Sequence, residues 1–153
     1  MPTTRYYTLD GARRALSSLP KELQSEVRRA SKDIAGDIAR SARGAATVQG
    51  GLAYHVGQTI RAVSDRFPTV SMGSGARLPR SGPGWSRQRS GPGQTINDVW
   101  GGAEFGSKRH RQFRPWLGNG FSAGYFLYPT VRARGDEAFE RWVGAVQAAL
   151  DAI

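Results

Sequence analysis

The chain has 153 residues, enough for one domain that buries roughly two-thirds of its unfolded surface, and it contains no cysteine. The missing cysteines exclude disulfides, thiolate metal sites and cysteine nucleophiles, and they suit a chain made in a reducing cytoplasm. The net charge of +10 is concentrated between residues 66 and 134, where eleven Lys and Arg face only Asp98 and Glu104. Such a region predicts an acidic partner, either nucleic acid or an acidic protein surface, and the alternative is a solvated basic surface. No apolar run suggests a membrane span, and the first residues lack the apolar core of a secretion signal.

Two helices are predicted at the start of the chain. Leu9, Ala12 and Leu16 fall on one side of a short helix within residues 1–18. A long amphipathic helix is predicted over residues 20–43, with Pro20 in its first turn and Gly44 at its end. Its apolar positions recur every three or four residues, opposite a charged face: Leu23, Val27, Ala30, Ile34 and Ile38.

A connector, a shorter helix and a strand are predicted next. Residues 44–51 are small and indicate a connector. Residues 52–63 carry apolar side chains at helical spacing and predict a second helix. Residues 66–72 alternate apolar with polar side chains and predict a strand, and Pro68 near its start favours an early or edge position.

Residues 73–94 are predicted to form a long loop or extended arm. The segment contains the sequence RSGPG twice, and Gly, Pro and Ser at this density do not support a packed element. We interpret it as a flexible basic arm with one aromatic anchor, Trp85; the alternative is a disordered surface insertion. Its basic residues are Arg77, Arg80, Arg87 and Arg89.

Residues 96–134 are the most aromatic stretch of the chain, and we expect the protein to be organised around them. Aromatic side chains bury large areas, which favours core or interface over free linker. Repeated glycines predict short pieces: a helical turn, then strands or extended arms, then a last strand ending near Tyr128. Residues 108–122 form a second predicted arm, in which a basic cluster precedes Phe113 and Trp116; the cluster is Lys108, Arg109, His110 and Arg111.

A final helix is predicted to open at Asp136 and Glu137, whose charge suits the positive end of the helix dipole. Its predicted apolar face comprises Phe139, Trp142, Val143, Val146 and Leu150, and we expect Trp142 to pack on the sheet or on the first long helix. The fold class is therefore α+β: one domain over residues 1–153, with a long N-terminal helix and a C-terminal helix on a small antiparallel sheet, and with long extended arms.

The sequence contains no recognisable catalytic or metal-binding motif. His55 and His110 are the only histidines, and neither has a partner at metal-ligand spacing. No phosphate-binding loop, GxSxG elbow or HExxH helix is present. Asp98 and Glu104 could form an acid–base pair, but Asp98 could instead cap the helical turn and Glu104 could pair with an arginine. We therefore predict a protein that is not an enzyme and that uses no cofactor or metal.

Nucleic-acid binding fits the charge better than catalysis does. Arginines close to Trp85, Phe113 and Trp116 could contact phosphates while the rings stack on bases. The chain has no helix-turn-helix, zinc-finger or RNP-type motif, however, and its clear helices have balanced charge. A sequence-specific reader normally carries basic residues on a recognition helix, so we expect any DNA contact to be nonspecific.

Two short motifs follow one another in the second half of the chain. The first is Glu104, Phe105, Gly106 and Ser107, and the second runs from Tyr125 to Arg132, with Tyr128 and Pro129. In this order they resemble the E-F-G-T/S element and the P-F-x-x-P-A-hydrophobic-R element of the head–tail joining or tail-completion (minor tail) proteins of long-tailed bacteriophages. It departs from the pattern at Thr130, where the family usually has alanine, and at the first proline, where Gly124 or Tyr125 stands. The resemblance covers the chain from about Leu9 onward, and residues 73–94 and 108–122 look longer than the family core.

The resemblance implies a non-enzymatic structural subunit of the virion neck or tail top, present in the host cytoplasm during assembly. Such subunits form a homo-oligomeric ring, expected to be a hexamer, that joins the DNA-filled head to the tail as a connector, tail-completion or tail-terminator protein. Expected partners are further copies, neighbouring connector and tail-tube proteins, and double-stranded DNA held nonspecifically in the lumen, but no membrane. The alternative is a nonspecific nucleic-acid-binding protein. Residues expected at partner contacts are Arg77, Arg80, Trp85, Arg87, Arg89, Arg109, Arg111, Phe113 and Trp116.

Overall fold

Five helices and one two-stranded antiparallel sheet make up the part of the chain that the computed structural model describes, residues 9–78 and 94–152. The fold is α+β, as predicted. The helices are α1 (Leu9–Ser17), α2 (Lys21–Gln49), α3 (Gly51–Gly57), α4 (Ile96–Phe105) and α5 (Leu127–Asp151). The strands are β1 (Arg61–Val63) and β2 (Thr69–Ser71). Within the described ranges, no helix is both long and apolar enough to cross a membrane.

Helices α1 and α2 confirm the two N-terminal predictions, but α2 continues beyond the predicted end at Gly44. Pro20 directly precedes the first helical residue, and the helix ends only at Gly50, whose φ of 69° suits glycine. Ala42 and Ala46, on either side of Gly44, are buried against α3. This packing outweighs the cost of about 1 kcal/mol that an interior glycine imposes, so residues 44–49 are helix and not a connector.

The helix predicted over residues 52–63 is shorter than expected. Helix α3 ends at Gly57, and its last turn lies so close to α2 that a Cβ on Gly57 would overlap the side chain of Ala46. The Thr59 hydroxyl donates to the carbonyl of Val56 at 2.6 Å, which closes a turn there. The chain then enters β1, and β2 pairs with it in antiparallel register, Ala62 opposite Val70. The strand predicted over residues 66–72 is thus confirmed in part, since β2 covers only Thr69–Ser71.

Helix α5 begins at Leu127 and packs along α2. The predicted strand ending near Tyr128 and the predicted helix start at Asp136 are therefore both wrong. Pro129 lies in the first turn of α5. Backbone N–H groups in a first turn have no intrahelical acceptor, so the N–H that proline lacks costs no hydrogen bond. Asp136 consequently lies inside the helix and has no role in opening it.

Trp142 joins α5 to the rest of the domain, as predicted. Its indole N–H donates to the Arg66 carbonyl at 2.8 Å, and its ring lies 5.1 Å from that of Phe67. The buried Ser31 hydroxyl donates to the same carbonyl at 2.8 Å. One backbone oxygen in the β1–β2 connection thus accepts hydrogen bonds from both long helices.

The predicted apolar face of α5 is only partly covered. Trp142 and Val146 pack against the buried side chains of α1 and α2. Phe139, Val143 and Leu150 are exposed, because α5 contacts the domain along the stripe that contains Ala138 and Ala149. These three residues thus belong to the predicted apolar face, but to the part of it that the rest of the domain leaves exposed.

Candidate functional site

The candidate site lies where α4 ends, because the residues that carry the family resemblance meet there. Helix α4 is opened by a capping box in which the Thr95 backbone N–H and hydroxyl both donate to the Asp98 carboxylate, at 2.7 and 2.8 Å. The hydrogen bonds lower the pKa of Asp98. Asp98 is therefore a helix cap, which was one of the two predicted alternatives.

Glu104 is the only fully buried carboxyl among the described residues, and it caps the start of α5. Its Oε1 accepts the backbone N–H of Tyr128 at 2.9 Å, and its Oε2 accepts those of Leu127 at 3.0 Å and Phe126 at 3.4 Å. The first N–H groups of a helix have no intrahelical acceptor, so a carboxyl placed there satisfies them and complements the helix dipole. We call this arrangement the Glu104 cap.

Burial raises the pKa of Glu104, and the three backbone N–H groups and the nearby Arg132 oppose that rise without cancelling it. Within the described chain, the carboxyl has backbone N–H groups as its hydrogen-bond partners and forms no ion pair with an arginine. Among the described residues, Glu104 therefore acts as a helix cap, and the alternative of an ion pair with an arginine is not seen.

The geometry does not favour acid–base chemistry by Asp98 and Glu104. Six residues of helix separate them by about 9 Å along the axis, and each carboxyl already caps a different helix. Nor are three His, Asp or Glu side chains grouped as a metal site would require anywhere in residues 9–78 and 94–152.

Two glycines allow the backbone to approach the Glu104 cap closely. Gly106 has a φ of 78°, and a Cβ there would overlap the carbonyl oxygens of Arg114 and Pro115. Gly124 has a φ of 110°, and a Cβ there would overlap Oε1 of Glu104. Both positions therefore need glycine for conformation and for space.

The loop between α4 and α5, residues 106–126, is attached to the domain at several points. The Leu117 N–H donates to the Phe105 carbonyl at 2.9 Å, and the Tyr125 N–H donates to the Glu104 carbonyl at 2.8 Å. The Tyr125 hydroxyl donates to the Pro115 carbonyl at 2.7 Å. We call this segment the α4–α5 loop; it contains the predicted arm 108–122, which lies against the body of the protein.

The basic cluster occupies an exposed turn of the α4–α5 loop. The Ser107 hydroxyl accepts the N–H groups of Arg109 at 3.2 Å and His110 at 3.1 Å, and the Ser107 N–H donates to the Arg114 carbonyl at 2.9 Å. Arg109 and Arg111 project into solvent from this turn. Ser107, a residue of the first motif, thus shapes the turn that presents the basic side chains.

The other motif residues are also brought together. The Phe105 ring lies 5.2 Å from that of Tyr128, and Pro129 follows directly in the first turn of α5. All six motif positions therefore belong to one structural unit: Glu104, Phe105, Gly106, Ser107, Tyr128 and Pro129.

The predicted partner-contact residues have different surroundings. Arg77 and Trp116 are exposed, whereas Phe113 is half-buried over Gly102 of α4, where a Cβ would overlap its ring. Arg77 pairs with Thr95 in an antiparallel bridge, and the Leu78 N–H donates to the Gln94 carbonyl at 3.1 Å, which brings residues 78 and 94 together. Arg80, Trp85, Arg87 and Arg89 lie outside the described residues.

Sequence reasoning missed the role of Glu104 as a cap for a distant helix. The available signal was Pro129, which marks a helix start when it follows a short break in the pattern. No sequence rule pairs that start with a carboxyl more than twenty residues earlier, because the contact depends on the tertiary fold. Comparison of the chain with protein-family models, curated proteins and solved structures found no match.

Replacing Glu104 tests the cap. Glu104→Ala removes the acceptors of three N–H groups and should lower the free energy of unfolding by roughly 2–4 kcal/mol at neutral pH. Glu104→Gln keeps one acceptor oxygen and should cost less. Urea denaturation measures both values, and equal costs, or no cost for alanine, would contradict the cap.

The same variants define a pH dependence. Because the folded-state pKa of Glu104 lies above its ordinary value of 4.5, the folded protein holds this proton more tightly than the unfolded chain does. The stability of the wild type relative to Glu104→Gln should therefore be greatest below pH 4.5, and should fall as the pH rises toward the folded-state pKa. If the stability difference between the wild type and Glu104→Gln instead grows as the pH rises above 4.5, the N–H groups lower the pKa of Glu104 by more than burial raises it.

Gly124→Ala and Gly120→Ala separate crowding at the cap from backbone strain. Both glycines have positive φ, 110° and 91°, but a Cβ on Gly120 would have no atom within 4 Å. Gly120→Ala should cost about 1–2 kcal/mol from its backbone conformation alone. Gly124→Ala should cost about 2 kcal/mol more, because its methyl group displaces the Glu104 carboxyl. Equal losses in urea denaturation would mean that the cap tolerates the displacement.

Proposed function

We propose that this chain is a structural subunit of the neck or tail top of a long-tailed bacteriophage, where copies form a ring that joins the DNA-filled head to the tail. The observation that carries the proposal is the convergence of the two motif elements at the Glu104 cap. A resemblance based on short motifs gains weight when its residues, distant in sequence, build one unit. Glu104 accepts the Tyr128 N–H at 2.9 Å, and Phe105 packs on Tyr128.

The chemistry of that unit also supports a structural role. The Glu104 carboxyl is committed to backbone N–H groups, and the Ser107 hydroxyl is committed to the turn that follows it. A ring subunit needs surfaces and defined loops in place of reactive groups, and heterologous contacts close into a ring when the rotation between copies allows it.

The positive charge of the basic turn in the α4–α5 loop also fits the proposed function. Lys108, Arg109 and Arg111 are exposed, and no acidic residue lies within residues 106–126. In a ring, these side chains contact an acidic face of a neighbouring virion protein or lie near DNA in the lumen, where contacts are nonspecific. The same feature favours the second candidate, a nonspecific nucleic-acid-binding protein, since exposed cations can contact phosphates at any sequence.

The two candidates differ in assembly and in salt dependence. Light scattering at low and high salt, with negative-stain images of any large species, should detect a closed ring with a central hole. Duplex DNA added to the same sample provides the comparison. A monomer that binds duplex DNA tightly, with an affinity that falls steeply with salt, would replace the proposal with the second candidate.

A further inference from the structure

An exposed apolar stripe runs along α5. Phe139, Val143 and Leu150 are spaced by four and seven residues, which places them on one face of the helix. Phe139 is 63% exposed, and the other two side chains are also exposed. Three large apolar side chains aligned on one helix face indicate an interaction surface, whereas single exposed ones do not. We call these three residues, with the neighbouring acids Asp136 and Glu140, the α5 surface.

A second exposed apolar group lies on the α4–α5 loop. Trp116, Leu117 and Phe121 are exposed, the last to 58%. We call these three residues, with the exposed Arg109 and Arg111 of the same loop, the loop surface.

The loop surface is held in place before any partner binds. The Arg132 guanidinium lies over the Phe121 ring, 5.9 Å from its centroid, and donates to the carbonyls of Phe121 and Ala123, the latter at 2.7 Å. The Leu117 N–H is bonded to Phe105. Pre-organisation of this kind reduces the entropy lost on association.

The two surfaces carry opposite charge. Residues 136–151 contain four acidic side chains and one basic one, Arg141, whose guanidinium is already paired with Asp37 at 2.9 Å. Residues 106–126 contain four basic side chains and no acidic one. Opposite charges around two apolar patches favour their association and disfavour pairing of either patch with itself.

We propose that the loop surface of one copy docks on the α5 surface of a second copy of this chain. The inference rests on the proposed function and identifies the contact that builds the ring. Trp116 and Phe121 pack against Phe139 and Val143, while Arg109 and Arg111 face Asp136 and Glu140. Aromatic residues and arginine are the side chains that most often dominate such interfaces. After one such contact, one copy still has a free α5 surface and the other a free loop surface, so the contact is heterologous and repeats from copy to copy.

Two half-competent variants test the contact. Phe139→Ser with Val143→Ser disables the α5 surface, and Trp116→Ser with Phe121→Ser disables the loop surface. All four side chains are exposed, and circular dichroism checks that both variants fold. Each variant alone should be a monomer by light scattering, with self-affinity reduced on the order of 100-fold. Their mixture should form a one-to-one complex, because each supplies the surface that the other lacks.

Val48→Ser is the matched control, because Val48 is 87% exposed on α2 and belongs to neither surface. This variant should retain the assembly state of the wild type. Assembly of either half-competent variant alone overturns the inference, and so does a mixture that stays monomeric.

The outcomes also separate the inference from the proposed function. If both half-competent variants still form a ring, the proposed function stands, but the ring is not built by docking of the loop surface on the α5 surface. A wild-type chain that is monomeric at every concentration and salt overturns the contact, and the DNA titration then decides whether the proposed function falls with it.

Discussion

The buried carboxyl of Glu104 determines how the C-terminal half of this protein is arranged. Helix α5 starts inside the protein, since Phe126 and Leu127 are buried, so its first N–H groups cannot be satisfied by water. An unsatisfied buried donor costs about 1–3 kcal/mol. Glu104 supplies the acceptors from the last turn of α4, and this links the end of one helix to the start of another across the whole α4–α5 loop.

The hydrogen bonds between Glu104 and the start of α5 also determine the shape of the α4–α5 loop. Its two ends are fixed where Glu104 meets Tyr128 and where the Tyr125 N–H meets the Glu104 carbonyl, and Gly106 and Gly124 provide the close approach. Between these two ends, the hydrogen bond from the Leu117 N–H holds the loop against the rest of the domain, and the basic turn is exposed. A loop held in this way can present aromatic and basic side chains in a defined arrangement. The proposed ring contact depends on that property.

Structural features that follow from a local repeat could be predicted from the sequence, whereas helix ends that depend on contacts with distant residues could not. The apolar periodicity of Leu23, Val27 and Ile34 identified α2 because each side chain is buried on one face of the helix. The end of α2 was missed because Ala46 is buried by α3, a contact that no local pattern encodes. The start of α5 was missed for a similar reason, since its cap lies on α4.

The same difference between local patterns and distant contacts applies to the candidate site. The two motif elements were picked out by their order along the chain, and capping was one of the two roles predicted for Asp98; its capping partner is Thr95. The cap formed by Glu104 could not be predicted, because a buried glutamate has no sequence signature that separates a helix cap from an ion pair. Phe113 was predicted as a partner contact, and an aromatic residue beside arginines suits both an interface and a core. Its ring lies over Gly102, a contact that depends on the tertiary fold and that no local pattern predicts.

Amide hydrogen exchange on the wild-type protein and on Glu104→Ala tests the central claim most directly, namely that the Glu104 cap holds the α4–α5 loop in a defined conformation. The informative amides are those of Leu117, Tyr125, Leu127 and Tyr128, which are all hydrogen-bonded in the fold. The account predicts slow exchange at all four in the wild type and faster exchange at all four in the variant, while the amides in the middle of α2 stay protected. Exchange at Leu117 and Tyr125 that is already as fast as in unfolded chain in the wild type would contradict it.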